Sequence, residues 1–377
     1  MARNDWKLRN GGAWWPWMAG RSHPSRPIMT FDPPCCPFVT CPSRISGAPF
    51  QFRRAGHYRR HCDQRQVPRF LCRACRRRFS AQSFRLDFGW RKPQIDNWVL
   101  KCLVSKVTLR QTARILQINR KSVHRRLARF ATSLRELHQC HLQRACRRGG
   151  LGGSFSLDEL ETFEGNRRLQ PVTVPVLIER HTHFVCHAET APLAPRGRIG
   201  ARARLKREAL AQRQGRRRSG SAAAVERCIA LLGRLHEQDR LIEFVTDQKR
   251  FYRASLKRQL AHRLGAHITE SSRRTRNRAN PLFAINHTLA MMRDQISRLV
   301  RRSWGASKCR TKLLHHIWIW IAWRNYVRPI TNRAPKVTPA TALLVAPRPL
   351  TVSELLRWRW PALMATCANE GGQFPRG

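Results

Sequence analysis

Acidic residues are scarce in this chain: 22 Asp and Glu stand against 73 Lys and Arg among 377 residues, a formal net charge of +51. Self-repulsion of that size works against a compact state unless a polyanion screens it, and nucleic acid is the obvious polyanion. A biased genomic composition contributes, because arginine greatly outnumbers lysine. Long apolar runs are missing too. The longest, Ile317 to Ala322, is flanked by His315, His316 and Arg324 and falls far short of the roughly 20 residues of a spanning helix. The N-terminus, MARNDWKLRNGGAWWPWMAG, is broken early by charge and lacks the apolar stretch of a secretory signal. The expectation is a cytoplasmic, nucleoid-associated protein with no membrane partner. With 42% hydrophobic residues it can still bury at least one sizeable core, so it is no disordered polycation.

The 13 cysteines are scattered except for two tight groups near the N-terminus, which in a reducing compartment point to metal rather than disulfides. Cys36 and Cys41 frame one turn, and Cys72 and Cys75 form a CxxC about 30 residues later. Two such knuckles can close one tetrahedral zinc site, the pattern of a zinc ribbon over residues 31–90. Cys35 could replace Cys36, and His61 or Cys62 could replace another ligand. Arg69, Arg73, Arg76, Arg77 and Arg78 around the second knuckle suit phosphates.

Residues 1–30 read as a poorly ordered leader. Residues 93–146 carry helical spacing and divide as a helix-turn-helix at Gln117 to Asn119, with Leu109, Ala113 and Leu116 on one helix face and Val123, Leu127 and Phe130 on the next. Thr108 and Asn119 are good N-caps. The second helix offers Arg120, Lys121, His124, Arg125 and Arg129 to a major groove; the alternative is an ordinary helical hairpin with a solvated basic face.

After a Gly-rich linker the pattern turns to short β-type runs: FSLDELETF, PVTVPVLIE, HTHFVCHAE, and later LIEFVT and the stretch His267 to Glu270. Helical segments are expected around Val225, Ile229, Leu232 and Leu235, over 250–263, and as one long stretch from Leu282 to Val327. Residues 196–220 read as a mobile basic insertion. The order, three strands and then alternating helices and strands, is that of an RNase H-like α/β core, a mixed sheet with flanking helices, over 154–328. Residues 329–377 are left as a C-terminal tail.

In a chain so poor in acid, carboxylates in strands need a reason. Asp158 in the first strand and Asp247 directly after LIEFVT would lie on adjacent strands of such a sheet and face one pocket. Together they would hold Mg²⁺ or Mn²⁺, hard cations that prefer carboxylate oxygens. The bland alternatives are a solvated acid at a strand end and a cap for the following helix.

The ribbon, the RQTARIL…NRKSV hairpin, the Asp158-Glu159 pair, the VTDQKRFYR segment and the helix RLVRRSWGASK together resemble insertion-sequence transposases of the insertion-sequence-one type, over roughly residues 36–328. The resemblance implies metal-dependent cleavage and transfer of double-stranded DNA at transposon ends and target, by a homo-oligomer, with cations such as Lys249, Arg250 and Arg293 near the phosphates. In that family the closing helix bears a catalytic Glu within Ile-Glu-Arg, followed at fixed offsets by Arg, Arg-Leu, Ser and Ser-Lys. The same offsets from Ile285 find Arg293, Arg298-Leu299, Ser303 and Ser307-Lys308, but Asn286 stands where the Glu belongs. A neutral amide is a weak Mg²⁺ ligand, and the nearest acid on the helix, Asp294, lies about 12 Å along its axis. Asn286 therefore favours a rival reading, a DNA-binding protein that keeps the fold without the chemistry.

Overall fold

Alternation and short apolar runs build two sheets, one within residues 52–80 and one within 154–270. The computed structural model describes residues 31–45, 50–149, 151–235, 240–300, 305–357 and 359. The expected leader, Ser303 and the tail beyond 359 lie outside these residues. One unit, Met1–Asp32 with Gly377, is almost wholly outside them; both sheets and their helices belong to the other unit, Pro33–Arg376.

The first sheet is small and antiparallel: β1 (Phe52–Arg59), β2 (Gln66–Cys72) and β3 (Arg78–Ser80), preceded by a single helical turn, α1 (Pro42–Ile45). Gly56, at φ 76°, makes the bulge between Arg54 and His57 in β1. Phe50, Phe52, Phe70, Phe79 and Phe84 pack ring to ring beneath it. Arg60, braced by Asp63 and Asp87, ties the sheet to the segment after it.

Three helices come next: α2 (Asp96–Leu103), α3 (Leu109–Ile115) and α4 (Arg120–Arg147). Thr108 closes a capping box with Gln111 at the start of α3, and the Asn119 side chain accepts from Lys121 N at the start of α4. Between them the chain turns at Gln117, φ 49°. The α4 helix runs for 28 residues, about 42 Å, so the cationic helix expected to end a small domain continues into the core. Its second half buries His138, His141 and Leu142 and packs along α9 (Arg310–Tyr326). One hydrophobic core consequently runs from Leu86 through α2, α4 and the second sheet to Leu356.

That second sheet has the order β6 (Val185–Ala188), β5 (Pro171–Glu179), β4 (Ser154–Phe163), β8 (Ile242–Asp247), β9 (Leu264–Glu270), with β7 (Ala191–Pro192) also on β5. The first three run antiparallel, whereas β4, β8 and β9 run parallel. With its flanking helices this mixed sheet fits an RNase H-like core. The run PVTVPVLIE is buried almost throughout because both faces of β5 are covered.

Between β7 and β8 the basic insertion forms a helix, α5 (Ala201–Gln214), with no buried residue. Its Ala, Leu, Lys, Arg and Gln content is strongly helix-forming even without an apolar stripe. The helix α6 (Ser221–Leu235) then buries Val225, Ile229 and Leu232, and α7 (Arg250–Leu260) links β8 to β9. The stretch expected as one long helix is two. The first, α8 (Phe283–Gln295), stops at Ile296, whose extended ψ of 107° breaks it, and α9 starts at Arg310. Among the described residues beyond 329 the chain packs back on the core. Leu350 N donates to Tyr326 O, and the turns α10 (Pro339–Ala342) and α11 (Val352–Leu355) pack back on α9.

Candidate functional site

The parallel pairing of β4 with β8 reaches Leu157 opposite Thr246, so the next residues, Asp158 and Asp247, stand side by side. Both are half-buried. Asp158 Oδ1 accepts from Glu159 N at 2.7 Å and Asp247 Oδ1 from Lys249 N at 3.1 Å, which leaves each Oδ2 without a hydrogen bond among the described residues. Burial pushes Asp158 up to about 6, and the Asp247 charge adds to it, as expected of two neighbouring carboxylates. Two free carboxylate oxygens on adjacent strands fit a divalent cation. Asp247 also braces the turn before α7 through Lys249 N, but Lys249 is the helix N-cap and no side chain caps the helix, so Asp247 does not take the capping role foreseen as its bland alternative.

Strand geometry sends Glu159 to the face opposite Asp158. There its carboxylate accepts from Thr173 Oγ1 (2.8 Å), Ser221 Oγ, Lys249 Nζ (2.6 Å) and Tyr252 OH (3.1 Å), joining β4 to β5, α6 and α7. Burial would raise its pKa, but these donors, Lys249 foremost, hold it below the usual carboxylate range. Lys249 is thus committed to Glu159 rather than free for a phosphate. Sequence alone marked Glu159 only as Asp158's neighbour; its role depends on partners up to 93 residues away.

The helix α8 packs along β4, and Arg293 Nη2 reaches Glu161 O at 3.3 Å. Seven residues earlier on the same helix face is Asn286. That is about 10 Å of helix away from Arg293. Asn286 is half-buried and its amide makes no hydrogen bond among the described residues. Asp294 is turned elsewhere: its side chain is 70% exposed and pairs with Lys106 at 3.4 Å. Among the described residues no third Asp, Glu, His or Cys groups with Asp158 and Asp247 as a metal-ligand set.

Such a set does exist in the small sheet. The sulfurs of Cys36, Cys41, Cys72 and Cys75 lie within 4.8 Å of one another, with Cys36–Cys75 at 3.8 Å and Cys41–Cys72 at 3.6 Å. A tetrahedral zinc with bonds of about 2.3 Å would space its sulfurs about 3.8 Å apart. The geometry selects Cys36 over Cys35, whose sulfur instead faces Arg44, and His61 and Cys62 stay outside the group.

Of the cations expected on α4, Arg120, Lys121 and Arg125 are exposed and His124 is half-buried. Burial first, then Arg298, Arg120 and Lys312, depress the His124 pKa, so the start of α4 adjoins cations near the start of α9. Arg129 is exposed as well, but its guanidinium donates to Phe88 O at 2.7 Å and lies over the Trp90 ring. Arg126, which the sequence did not single out, is buried and bonds Asp96 at 2.7 Å. Trp90, Arg91, Lys92, Arg125 and Arg359 line a cleft of about 1150 Å³ beside α4. No described helix is long and apolar enough to cross a membrane.

No family model matches the chain, and no curated protein does. Among solved structures, the catalytic domain of Mos1 mariner transposase aligns at 16% identity over 51% of this chain and 85% of its own, with a TM-score of 0.24. The Mos1 strand transfer complex aligns at 15% identity over 60% of this chain and 76% of its own, with a TM-score of 0.22. Scores this low carry no argument, and the functional reading stands on the chain's own residues.

Proposed function

We propose that this chain is a transposase-like DNA recombinase that binds transposon-end DNA and cleaves and transfers its strands with divalent metal, as a homo-oligomer on the nucleoid. The observation that carries the reading is the pairing of Asp158 with Asp247 on adjacent central strands, each with a free carboxylate oxygen, in a chain with few acids. A divalent ion held there would activate a water or a 3′-hydroxyl and stabilise the leaving oxygen of an in-line phosphoryl transfer. The exposed Arg120, Lys121 and Arg125 of α4, with His124 beside them, would hold duplex DNA, and the cysteine-bound zinc would brace the Arg-rich small sheet against flanking phosphates.

The test uses oligonucleotides spanning the DNA that flanks the reading frame, with Mg²⁺ or Mn²⁺. Cleavage by the native protein, abolished by Asp158→Ala or Asp247→Ala with end binding retained, is the expected result. A second reading, a DNA-binding protein without catalysis, is favoured by Asn286 and by the missing third acid among the described residues. Specific binding with no cutting under any divalent metal would establish it in place of the first.

A further inference from the structure

Arg324, on α9, is 2% exposed, and its Nη1 is buried with no hydrogen-bond partner. No carboxylate pairs with it among the described residues. An arginine does not give up its proton, so a buried guanidinium without an anion is an unmet demand. Its neighbours are cationic or can become so. Burial first, and then Arg328, lower its pKa to about 10. Burial first, then charge, depresses both His183 and His287, whose rings lie 5.6 Å apart: His287 and Arg324 act on His183, and Arg324 and Arg328 on His287. His183, in the turn between β5 and β6, takes the left-handed φ of 57°; its ring bonds the Ala284 backbone, and its buried Nδ1 has no partner. Glu179, the acid whose charge reaches His183, is already taken up by His181 N, Thr182 N and Thr182 Oγ1. His287 is exposed, and His183 and Arg328 are half-buried, so the cluster has an open rim.

We propose that Arg324, His183, His287 and Arg328 form an anion site for a phosphate group, separate from the Asp158–Asp247 pocket. A guanidinium fork with imidazole N–H donors beside it matches phosphate oxygens, and a dianion or a backbone phosphate would supply the charge that Arg324 lacks. The phosphate is either free or part of a DNA strand. Only the second source rests on the DNA-binding reading above.

The experiment takes the full chain through two measurements. Thermal unfolding is followed with inorganic phosphate replacing chloride at constant ionic strength, and DNA affinity is followed against salt. For a free phosphate, the native protein gains roughly 5 °C at saturation, and Arg324→Met gains nothing. For a DNA phosphate, Arg324→Met makes the log-log salt slope shallower by about 0.9. Either result supports the site. His287→Gln and Arg328→Gln, on the rim, must weaken whichever effect is seen and stand in if Arg324→Met does not fold. If phosphate leaves the native protein unmoved and all three variants keep the native salt slope, the site is refuted. If the native protein binds no DNA at all, the phosphate titration alone decides, and its failure is then distinct from the failure of the DNA reading.

Discussion

Lys249 Nζ lies 2.6 Å from Glu159 Oε2, so the strand that carries Asp158 is clamped to the start of the helix that Asp247 introduces. The Glu159 side chain is 2% exposed and that of Lys249 36%, so the two partners respond unequally. Lys249→Met strands a buried carboxylate and should cost about 2–3 kcal/mol in urea unfolding, less than a fully buried pair because solvent reaches the lysine. Glu159→Gln keeps the shape and some hydrogen bonds and should cost about 1–2 kcal/mol. Since the Glu159 pKa is depressed in the fold, its contribution is present above the unfolded value and is lost as pH falls below it. Equal losses at pH 4 and pH 8 for Glu159→Gln would contradict this.

Purified protein should carry about one zinc per chain, and Cys72→Ser with Cys75→Ser should remove it. Elemental analysis and near-UV spectra before and after a chelator report this. The loss should unfold β1 to β3 and leave the second sheet intact, because the rings beneath the small sheet lie apart from the core that runs from Leu86 to Leu356.

The strands of the second sheet were readable because runs such as PVTVPVLIE have only one use, as buried strands bounded by turns. The start of α4 was readable from Asn119, but its length was not: His138 and His141 look polar and are buried only because Tyr326 OH, Cys186 O and Val345 O take their nitrogens. Cations misled for a related reason. Lys249 and Arg129 look free in a sequence because Glu159 and the Phe88 carbonyl come to them through the fold. Asp158 and Asp247 could be singled out because acids are rare here, whereas nothing local distinguished Arg324 from the chain's many other arginines.

Burial holds three histidines neutral: His138 at about 3, His141 at about 4 and His316 at about 4. These folded values lie below the ordinary 6.5, so the unfolded chain takes up protons first as pH falls, and the stability they permit above about 6.5 is lost on the way to 4. Asp96 and Asp158, both pushed up to about 6 chiefly by burial, work in the opposite sense, since the folded chain then binds their protons first. The native pH profile should be flatter than the histidines alone dictate. His141→Gln isolates one of them: relative to the native protein, its stability should rise by about 1.4 kcal/mol per pH unit between 6 and 4.5. A difference independent of pH would mean that His141 is already charged in the fold.

On α4 the exposed Lys121 and Arg125 should behave differently from Arg129. Alanine at the first two leaves stability nearly unchanged and weakens binding to cognate end DNA more than to random duplex. Arg129→Ala removes a bond to Phe88 O and should cost about 1–2 kcal/mol of stability. Gel-shift titrations paired with melting curves separate the two. Equal losses on both DNAs for Lys121→Ala and Arg125→Ala would make the start of α4 a general phosphate clamp.

Asn286 decides between the enzyme and its rival. It is half-buried on a helix packed along β4, the strand of Asp158; a third carboxylate there would complete the charge around two ions, yet an amide supplies none. Native cleavage should therefore be weak, and Asn286→Glu should raise it at least tenfold, while Asn286→Ala should leave little change. Asp294→Ala should have no effect beyond loss of the exposed pair with Lys106, about 0.5 kcal/mol or less. Single-turnover cleavage of end oligonucleotides in Mn²⁺, with calorimetric Mn²⁺ binding alongside, reads both outcomes. If Asn286→Glu tightens Mn²⁺ without cutting DNA, the pocket binds metal but the protein is a DNA-binding one. If Asp294→Ala abolishes cleavage while Asn286→Glu does nothing, α8 meets β4 in a different register during the reaction, and Asp294 is the third ligand.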